Sequence, residues 1–431
     1  MTENLKDFIL NKKNIILFWL SYCFFEHFVT RIVLAETIRA TLWRAFWFID
    51  ILWAIIILID DFKHTRINLN DKNKLLLVIF TGFTTVSWVI KAPVHNVYYF
   101  CTLITLFEQA FIFYRFGLEN NIDEIKKIIN ITAYMFVGLV FLYTASSLLF
   151  YVLGYQEVTF MDGTVIHMHC VENSLSHSKR YMGIWSWCTT ASFDCYLAIL
   201  LHLYLIDNKS NKLVHIAGII LNSIMIYLAD SRTSLMILAV IAFSNVFFSM
   251  LKKIGKVKTL KYSRIFIVVL LMLTVVYLVT FKSDTLALLI NSPDETLQAL
   301  TTGRFNMAKG ILETIKGDLL LGKGYANNDF ILNKYGIVHP HNLFLALLLY
   351  TGIPGLVLFI SFLVLNVISM RSKFSLLLAN NLKWIFVLVV CVFIESIFDI
   401  SIIGASPLNI QTFFFWLSLG IVSNEQLKNN L

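Results

Sequence analysis

The fold is decided by long apolar stretches, and residues 342–369, NLFLALLLYTGIPGLVLFISFLVLNVIS, are the clearest of them. These residues carry no charged side chain. About 20 consecutive apolar residues are enough to cross the hydrocarbon core of a bilayer as an α-helix. The stretch therefore predicts a membrane-spanning helix.

The composition extends this prediction to the whole chain. Of the 431 residues, 58% are hydrophobic and 14% are charged, whereas soluble domains average about 45–50% and about 25%. This excludes a soluble enzyme, a disordered chain and a domain anchored by a single span. The apolar stretches are continuous and do not alternate with polar residues, which argues against an outer-membrane β-barrel. We predict an all-α polytopic membrane protein.

We expect a single membrane domain over residues 1–431 with about twelve transmembrane helices. The predicted spans are 15–33, 43–60, 74–91, 96–115, 128–153, 182–206, 213–229, 232–251, 264–281, 342–369, 382–400 and 405–423. Two long loops interrupt them, at residues 154–181 and 282–341. In the larger loop Arg304 starts a short amphipathic helix that ends near Gly317, with Phe305, Ala308, Leu312 and Ile315 as its apolar face.

The distribution of lysine and arginine predicts the orientation. With both termini in the cytoplasm, 22 of the 35 cations fall in cytoplasmic loops and 13 fall outside. Cytoplasmic loops of membrane proteins carry an excess of cations, so this orientation is favoured and both long loops are extracytoplasmic. The net charge of +8 then needs no nucleic-acid partner.

A candidate catalytic base lies where the large loop meets the tenth predicted span, in His339-Pro340-His341-Asn342. An imidazole has an unperturbed pKa near 6.5, which suits a proton acceptor at neutral pH. Asn342 is expected to open the helix, which would fix His341 on a rigid element. The alternative is an interfacial histidine without a catalytic role.

Three arginines on the predicted outer side, Arg180, Arg232 and Arg304, are candidates for binding an anion. A guanidinium near the bilayer is costly unless it is paired or functional, and its fork binds pyrophosphate well. The alternatives are a local pair between Arg232 and Asp230 and a solvated charge at Arg304.

Carboxylates in the predicted spans offer further candidates. Glu395 and Asp399 lie one helical turn apart and could orient a histidine, hold sugar hydroxyls or line a water-filled crevice. Four further acidic residues in spans show no regular pairing with cations that would indicate a transport relay; they are Glu26, Asp50, Glu108 and Asp194.

We predict no metal and no cofactor. His167, His169 and Cys170 resemble metal ligands, but no second cluster with matching spacing accompanies them. Gly322-Lys323-Gly324 is not a phosphate loop, because no strand precedes it and the Lys-Ser/Thr ending is missing.

Taken together, these motifs resemble the O-antigen ligase and polymerase superfamily of bacterial inner membranes. The strongest likeness is His341-Asn342, nine residues, then Gly352-Ile353-Pro354-Gly355. Asp230-Ser231-Arg232-Thr233-Ser234 is similar to the Ser-Arg-Thr of that family, and Arg304 matches an arginine in the large external loop. Arg180-Tyr181-Met182-Gly183 resembles an Arg-x-x-Gly element but lacks the Pro-Asn that often follows it. The resemblance covers roughly residues 180–423.

The resemblance implies a metal-independent, inverting glycosyltransferase at the outer face of the cytoplasmic membrane. Such enzymes use a glycan linked to a polyprenyl pyrophosphate such as undecaprenyl pyrophosphate. His341 would be the base, Arg232 and Arg304 would bind the pyrophosphate, and Arg180, His339, Asn342, Glu395 and Asp399 would contribute to substrate binding.

Three functions remain open on this resemblance. We favour a Wzy-type polymerase of capsule, exopolysaccharide or O-antigen repeat units, because the residue usage suggests an AT-rich genome, as in Gram-positive bacteria that have no lipid A. The alternatives are an O-antigen ligase and a transporter or flippase of lipid-linked glycan. The expected partners are the lipid-linked oligosaccharide, the bilayer, and possible flippase and chain-length regulator proteins.

Overall fold

The structure is a computed structural model. It describes residues 3–24, 36–63, 72–91, 97–159, 165–169, 180–185, 188–208, 210–254, 304–325, 340–398 and 410–424.

The described residues form an α-helical protein with one small hairpin. The helices are α1 (Glu3–Leu10), α2 (Lys12–Phe24), α3 (Glu36–Lys63), α4 (Lys72–Lys91), α5 (Val97–Glu108), α6 (Tyr114–Glu119), α7 (Ile122–Val152), α8 (Cys188–Asp207), α9 (Lys212–Leu228), α10 (Arg232–Ile254), α11 (Arg304–Ile315), α12 (Leu343–Ala379), α13 (Lys383–Phe398) and α14 (Ile410–Ser423), with a π-helical segment, Gln109–Phe113, between α5 and α6. The hairpin pairs β1 (Glu157–Thr159) antiparallel with β2 (Val165–His167).

The helical, membrane-spanning character is confirmed. Five described helices are long and apolar enough to cross a bilayer: Lys72–Lys91, Ile122–Val152, Thr189–Asp207, Arg232–Leu251 and Leu343–Met370. Two shorter helices, Lys212–Leu228 and Ile410–Ser423, are also apolar. The total of twelve spans stays a prediction, since the predicted span 264–281 lies outside the described residues. The hairpin was not predicted and lies in the first long loop.

Close backbone contact between α6 and α14 marks the centre of the core. A Cβ atom on Gly420 would lie 2.0 Å from the Tyr114 carbonyl oxygen, and one on Gly117 would lie 2.5 Å from that of Leu417. Around this contact Trp416 stacks on Phe362 with ring centroids 5.9 Å apart. The C-terminal helix is thus held by glycine contacts and aromatic packing.

Two groups of charged residues lie at opposite ends of α4. At the start of α4, Arg115 binds Asp61 at 2.7 Å and Glu119 at 2.9 Å, and Lys12 and Lys74 complete the group. Burial raises the pKa of Glu119, but hydrogen bonds from Arg115 and the surrounding cations outweigh it, so that the pKa is lowered overall.

At the other end of α4, Lys91 binds Asp318 at 2.7 Å, and Lys323 binds the second oxygen of Asp318. The ends of α4 are about 28 Å apart at 1.5 Å per residue. Cations assigned to the cytoplasmic side by sequence therefore meet at one end of α4, and cations assigned to the outside meet at the other end.

Helix α11 begins at Arg304 and ends before Gly317, as predicted, but its buried face differs from the prediction. Ile315 is buried as predicted, but Leu312 is 49% exposed, and Met307 and Ile311 are buried although they were not predicted. The predicted row through Leu312 and the observed row are neighbouring stripes of the same helix, and packing against α12 selects the observed one.

Candidate active site

His341 lies at the entrance to α12 in an unusual backbone conformation. Its φ angle is +48°, a left-handed value that few residues other than glycine adopt. The residue is half-buried, and Pro340 before it is buried. Strained backbone conformations often occur at functional sites, where the surrounding structure holds them in place.

Asn342 fixes this entrance in two ways. Its Oδ1 atom accepts a hydrogen bond of 2.9 Å from the amide of Leu345, so it caps α12 as predicted. Its Nδ2 atom donates a bond of 2.6 Å to the carbonyl of Ile397, near the end of α13. The side chain that follows His341 in the sequence thus joins two helices.

The glycine motif after His341 is a break in α12. Gly352 has φ +67° and ψ −167°, values that are essentially confined to glycine. Residues 319–323 of the large loop occupy the break. The amide of Lys323 donates to the Leu349 carbonyl at 2.6 Å, and the amide of Ile353 donates to the Leu319 carbonyl at 2.8 Å. The loop thereby replaces the helical bond between Leu349 and Ile353.

Pro354 explains a further contact at the break. In a regular helix the amide of residue 354 would donate to the carbonyl of Tyr350, but proline has no amide hydrogen. The Oγ atom of Ser87, in α4, lies 2.6 Å from this carbonyl and 2.6 Å from the carbonyl of Leu321. This buried hydroxyl has one proton, which it can donate either to the broken helix or to the docked loop.

Arg232 is the first residue of α10, next to a second left-handed residue. Asp230 has φ +44°, and the Ser231 hydroxyl lies 3.1 Å from that of Ser234 in the first turn. Arg232 itself is exposed. A cation at a helix N-terminus opposes the helix dipole, so this position does not favour stability. The helix dipole at this end favours binding of an anion.

Arg180 lies beside the same turn. Its Nε atom donates a hydrogen bond of 3.0 Å to the carbonyl of Ala229, and the amide of Tyr181 donates to Leu228 at 3.0 Å. These contacts bring the Arg180 segment and the turn before Arg232 together, although they are about 50 residues apart in sequence.

The rest of the Arg-x-x-Gly element anchors the first long loop. Gly183 has φ +60°, and a Cβ atom there would lie 2.3 Å from the Ser147 hydroxyl. The Tyr181 hydroxyl bonds the Ser147 carbonyl, and burial raises the pKa of Tyr181 to about 12. The glycine is therefore required for close packing on α7.

Glu395 is fully buried in α13. The hydroxyl of Tyr196, in α8, donates to its Oε2 atom. The side-chain nitrogen of Gln411, in α14, lies 2.9 Å from Oε1 in the orientation that lets it donate. The carboxylate thus ties three helices together two residues before Ile397, which accepts the bond from Asn342. This placement fits a residue that orients the histidine segment better than one that holds a sugar.

Three of the site residues predicted from the sequence are not fully described. His339 and Asp399 lie outside the described residues, and the side chain of Arg304 does as well. The described contacts form two groups: Arg180 with the Arg232 turn, and the His341–Asn342 entrance with the end of α13.

The remaining sequence candidates have other surroundings. His167 is exposed, with Nδ1 3.5 Å from Glu157, and Cys170 lies outside the described residues. Asp50 and Glu108 are buried in α3 and α5. Asp194 accepts a bond of 3.0 Å from the Trp185 indole, and Glu26 lies outside the described residues.

Sequence reasoning missed two residues that support this region, Ser87 and Tyr196. Each lies in an apolar helix and makes its contact with a distant segment. Pro354 was the available signal for Ser87, because a proline inside a helix leaves one carbonyl without its usual donor.

Comparison with known proteins identifies the part of the chain that holds this region. Residues 217–360, about a third of the chain, match the family model described as O-antigen ligase. No curated protein matches the chain significantly. The matched range contains the Arg232 turn, α11, His341 and the glycine break. Residues 217–360 are therefore similar to the O-antigen ligase family, which supports the predicted relation of the chain to the O-antigen ligase and polymerase superfamily and a function in polysaccharide biosynthesis.

Proposed function

We propose that the protein is a Wzy-type polymerase that joins lipid-linked oligosaccharide repeat units at the outer face of the bacterial cytoplasmic membrane. The observation that carries the proposed class of reaction is the family match, which covers the Arg232 turn and the His341–Asn342 entrance together. The substrate is a glycan on a polyprenyl pyrophosphate, and the products are capsule, exopolysaccharide or O-antigen chains.

The proposed reaction is a direct displacement. A hydroxyl group of the acceptor glycan attacks the anomeric carbon of the donor glycan, and the bond from that carbon to the pyrophosphate oxygen breaks. His341 takes the hydroxyl proton. The attack inverts the anomeric configuration and releases the polyprenyl pyrophosphate. The chemistry needs no metal, because cationic side chains can stabilise the leaving group.

Two features of Arg232 and Arg304 support their assignment to the pyrophosphate. Each is the first residue of a helix, where the helix dipole already favours an anion. A guanidinium adds a bidentate donor to that end. Arg180 is a third candidate because it lies beside the turn before Arg232.

We propose distinct roles for the other predicted residues. Asn342 holds the backbone next to His341 through its two hydrogen bonds. Glu395 holds the helix end on which Asn342 docks. His339 and Asp399 stay candidates for contact with the glycan.

The second candidate function is that of a ligase, which transfers a finished polysaccharide to lipid A core or another acceptor. The description of the matching family favours it. The polymerase is preferred because the abundance of Ile, Phe, Asn and Lys and the five prolines suggest an AT-rich, Gram-positive genome, and Gram-positive cells have no lipid A.

Removal of the protein from cells distinguishes these functions. A polymerase predicts that single lipid-linked repeats accumulate and long polymer disappears. Long polymer that persists on the lipid carrier would contradict the polymerase and support the ligase. Purified protein that elongates lipid-linked repeats in detergent would exclude a purely transport function.

Site variants test the roles. His341→Ala is expected to abolish polymer while the protein stays in the membrane. Arg232→Lys and Arg304→Lys are expected to be almost as severe as the alanine variants, because lysine lacks the bidentate fork. Normal polymer from His341→Ala would contradict the assignment of the base.

A further inference from the structure

We propose that Ser87 and Lys91, at the end of α4, are positioning residues for the histidine segment of the active site. This inference rests on the proposed function, because it assumes that His341 is the base. Both residues lie outside the matched range 217–360, in the part of the chain to which the sequence assigned no role.

The break at Gly352 makes the first part of α12 a separate element. Residues 343–351 are helical, and their direction relative to the rest of α12 is set by the backbone of Gly352 and by what holds the break. His341 and Asn342 come directly before this short helix. Any rotation at the break therefore moves the backbone that carries the imidazole.

The break is held by the docked loop. Gly322 and Gly352 pack back to back: a Cβ atom on Gly322 would lie 2.7 Å from the Gly352 amide nitrogen, and one on Gly352 would lie 2.4 Å from the Leu319 carbonyl oxygen. Two backbone hydrogen bonds cross the contact, from Lys323 to Leu349 and from Ile353 to Leu319. The loop and the short helix thus move as one unit.

Helix α4 fastens this unit to the bundle at two points. Ser87 is fully buried, and its hydroxyl reaches one carbonyl of the short helix, Tyr350, and one of the loop, Leu321. One turn further along, Lys91 binds Asp318, the residue before the docked segment. Lys323, inside the segment, binds the same carboxylate.

The contacts of Ser87 favour a role in positioning the break over a role in filling space. A residue that only fills space would contact side chains, whereas the Ser87 hydroxyl lies within hydrogen-bonding distance of the two backbone carbonyls that meet at the break and can donate its single proton to either. Removal of the hydroxyl leaves both buried carbonyls without this donor, which favours partial opening of the break. A displacement of about 1 Å at a catalytic group can cost up to about a hundredfold in rate.

The experiment compares purified full-length variants on lipid-linked repeats extracted from cells that lack the protein. Ser87→Ala removes the hydroxyl. Thr84→Val is the matched control, because Thr84 is equally buried in α4 and its hydroxyl donates to the Thr81 carbonyl of the same helix, its one partner within the described part of the chain. Lys91→Gln removes the second point of attachment on a partly exposed side chain, and Lys91→Arg restores its charge.

The expected result for Ser87→Ala is a kcat about tenfold or more below wild type with KM within about twofold, since chemistry and not binding is affected. Thr84→Val should keep the wild-type kcat. Lys91→Gln should show a smaller fall in kcat, which Lys91→Arg reverses. Wild-type kcat in Ser87→Ala, or equal losses in Ser87→Ala and Thr84→Val, would overturn the proposal.

Hydrogen exchange provides a readout that does not depend on the reaction. In Ser87→Ala the amides of Lys323 and Ile353 should exchange faster, whereas Thr84→Val should leave them protected. Unchanged protection of both amides would overturn the proposal even if the rate fell. If the wild-type protein did not elongate the lipid-linked repeats, the proposed function would fail while the exchange data would still test the role of Ser87 at the break.

Discussion

Replacement of Gly352 by alanine should damage the docking of the large loop more than any other single-methyl change in α12. Alanine would have to adopt φ +67° and ψ −167°, a conformation that costs about 1–3 kcal/mol for a residue with a side chain. Its Cβ atom would also lie 2.4 Å from the Leu319 carbonyl oxygen and 2.8 Å from the Leu320 carbonyl carbon. Backbone atoms cannot rotate away, so overpacking adds about 1–3 kcal/mol.

The expected total is about 2–6 kcal/mol, a large share of the stability of an ordinary domain. The assay is the apparent melting temperature of the detergent-purified protein, together with hydrogen exchange at residues 319–323. Gly82→Ala is the control, because nothing lies within 4 Å of a Cβ atom at this position in α4. Alanine there should be neutral or slightly stabilising. If Gly352→Ala had the same melting temperature as Gly82→Ala and its residues 319–323 stayed protected from hydrogen exchange, the break would not require glycine at position 352.

Three further predictions concern stability. Gly420→Ala should lower the melting temperature and release α14, because its Cβ atom would lie 2.0 Å from the Tyr114 carbonyl oxygen. A melting temperature equal to that of the wild type would contradict the close contact between α6 and α14. Arg115→Met should lower the free energy of unfolding by about 3 kcal/mol, measured by chemical unfolding, because the buried carboxylate of Asp61 loses its 2.7 Å partner and keeps Lys12 at 3.0 Å. A change near zero would contradict this. Hydrogen bonds from Lys323 and then Lys91 lower the pKa of Asp318. The stability that Asp318 contributes to the docked loop should therefore be fully present above the usual carboxyl pKa of 3.8 and be lost as the pH falls below that value. Exchange protection of residues 319–323 should therefore stay constant from pH 5 to 8 and be lost at lower pH, and a loss already at pH 6 would contradict this.

Local features of the site could be predicted from the sequence because they depend on neighbouring residues. Asn342 caps α12 as expected, since an asparagine accepts from the first turn wherever a helix follows it. Helix α11 starts at Arg304 and ends before Gly317. Both boundaries could be predicted, because Gly303 and Gly317 flank the helix in the sequence. The cations that the sequence assigns to the two sides of the membrane also lie in two separate groups, at opposite ends of α4.

Features that depend on distant contacts could not be predicted. The break at Gly352 needs residues 319–323 as partners and Ser87 as donor. Pro354 indicates that the Tyr350 carbonyl lacks its helical donor, but nothing near Gly352 in the sequence identifies the distant residues that replace it. The buried face of α11 was mispredicted because two apolar rows overlap on it and only α12 decides between them.

The central claim is that this protein polymerises lipid-linked repeats with His341 as the base. The most direct test incubates purified protein with lipid-linked repeats and resolves the products by size. The wild-type protein should give a ladder of lipid-linked polymer, and His341→Ala should give none at equal amounts of folded protein. A ladder from His341→Ala, or no elongation by the wild-type protein, would contradict it.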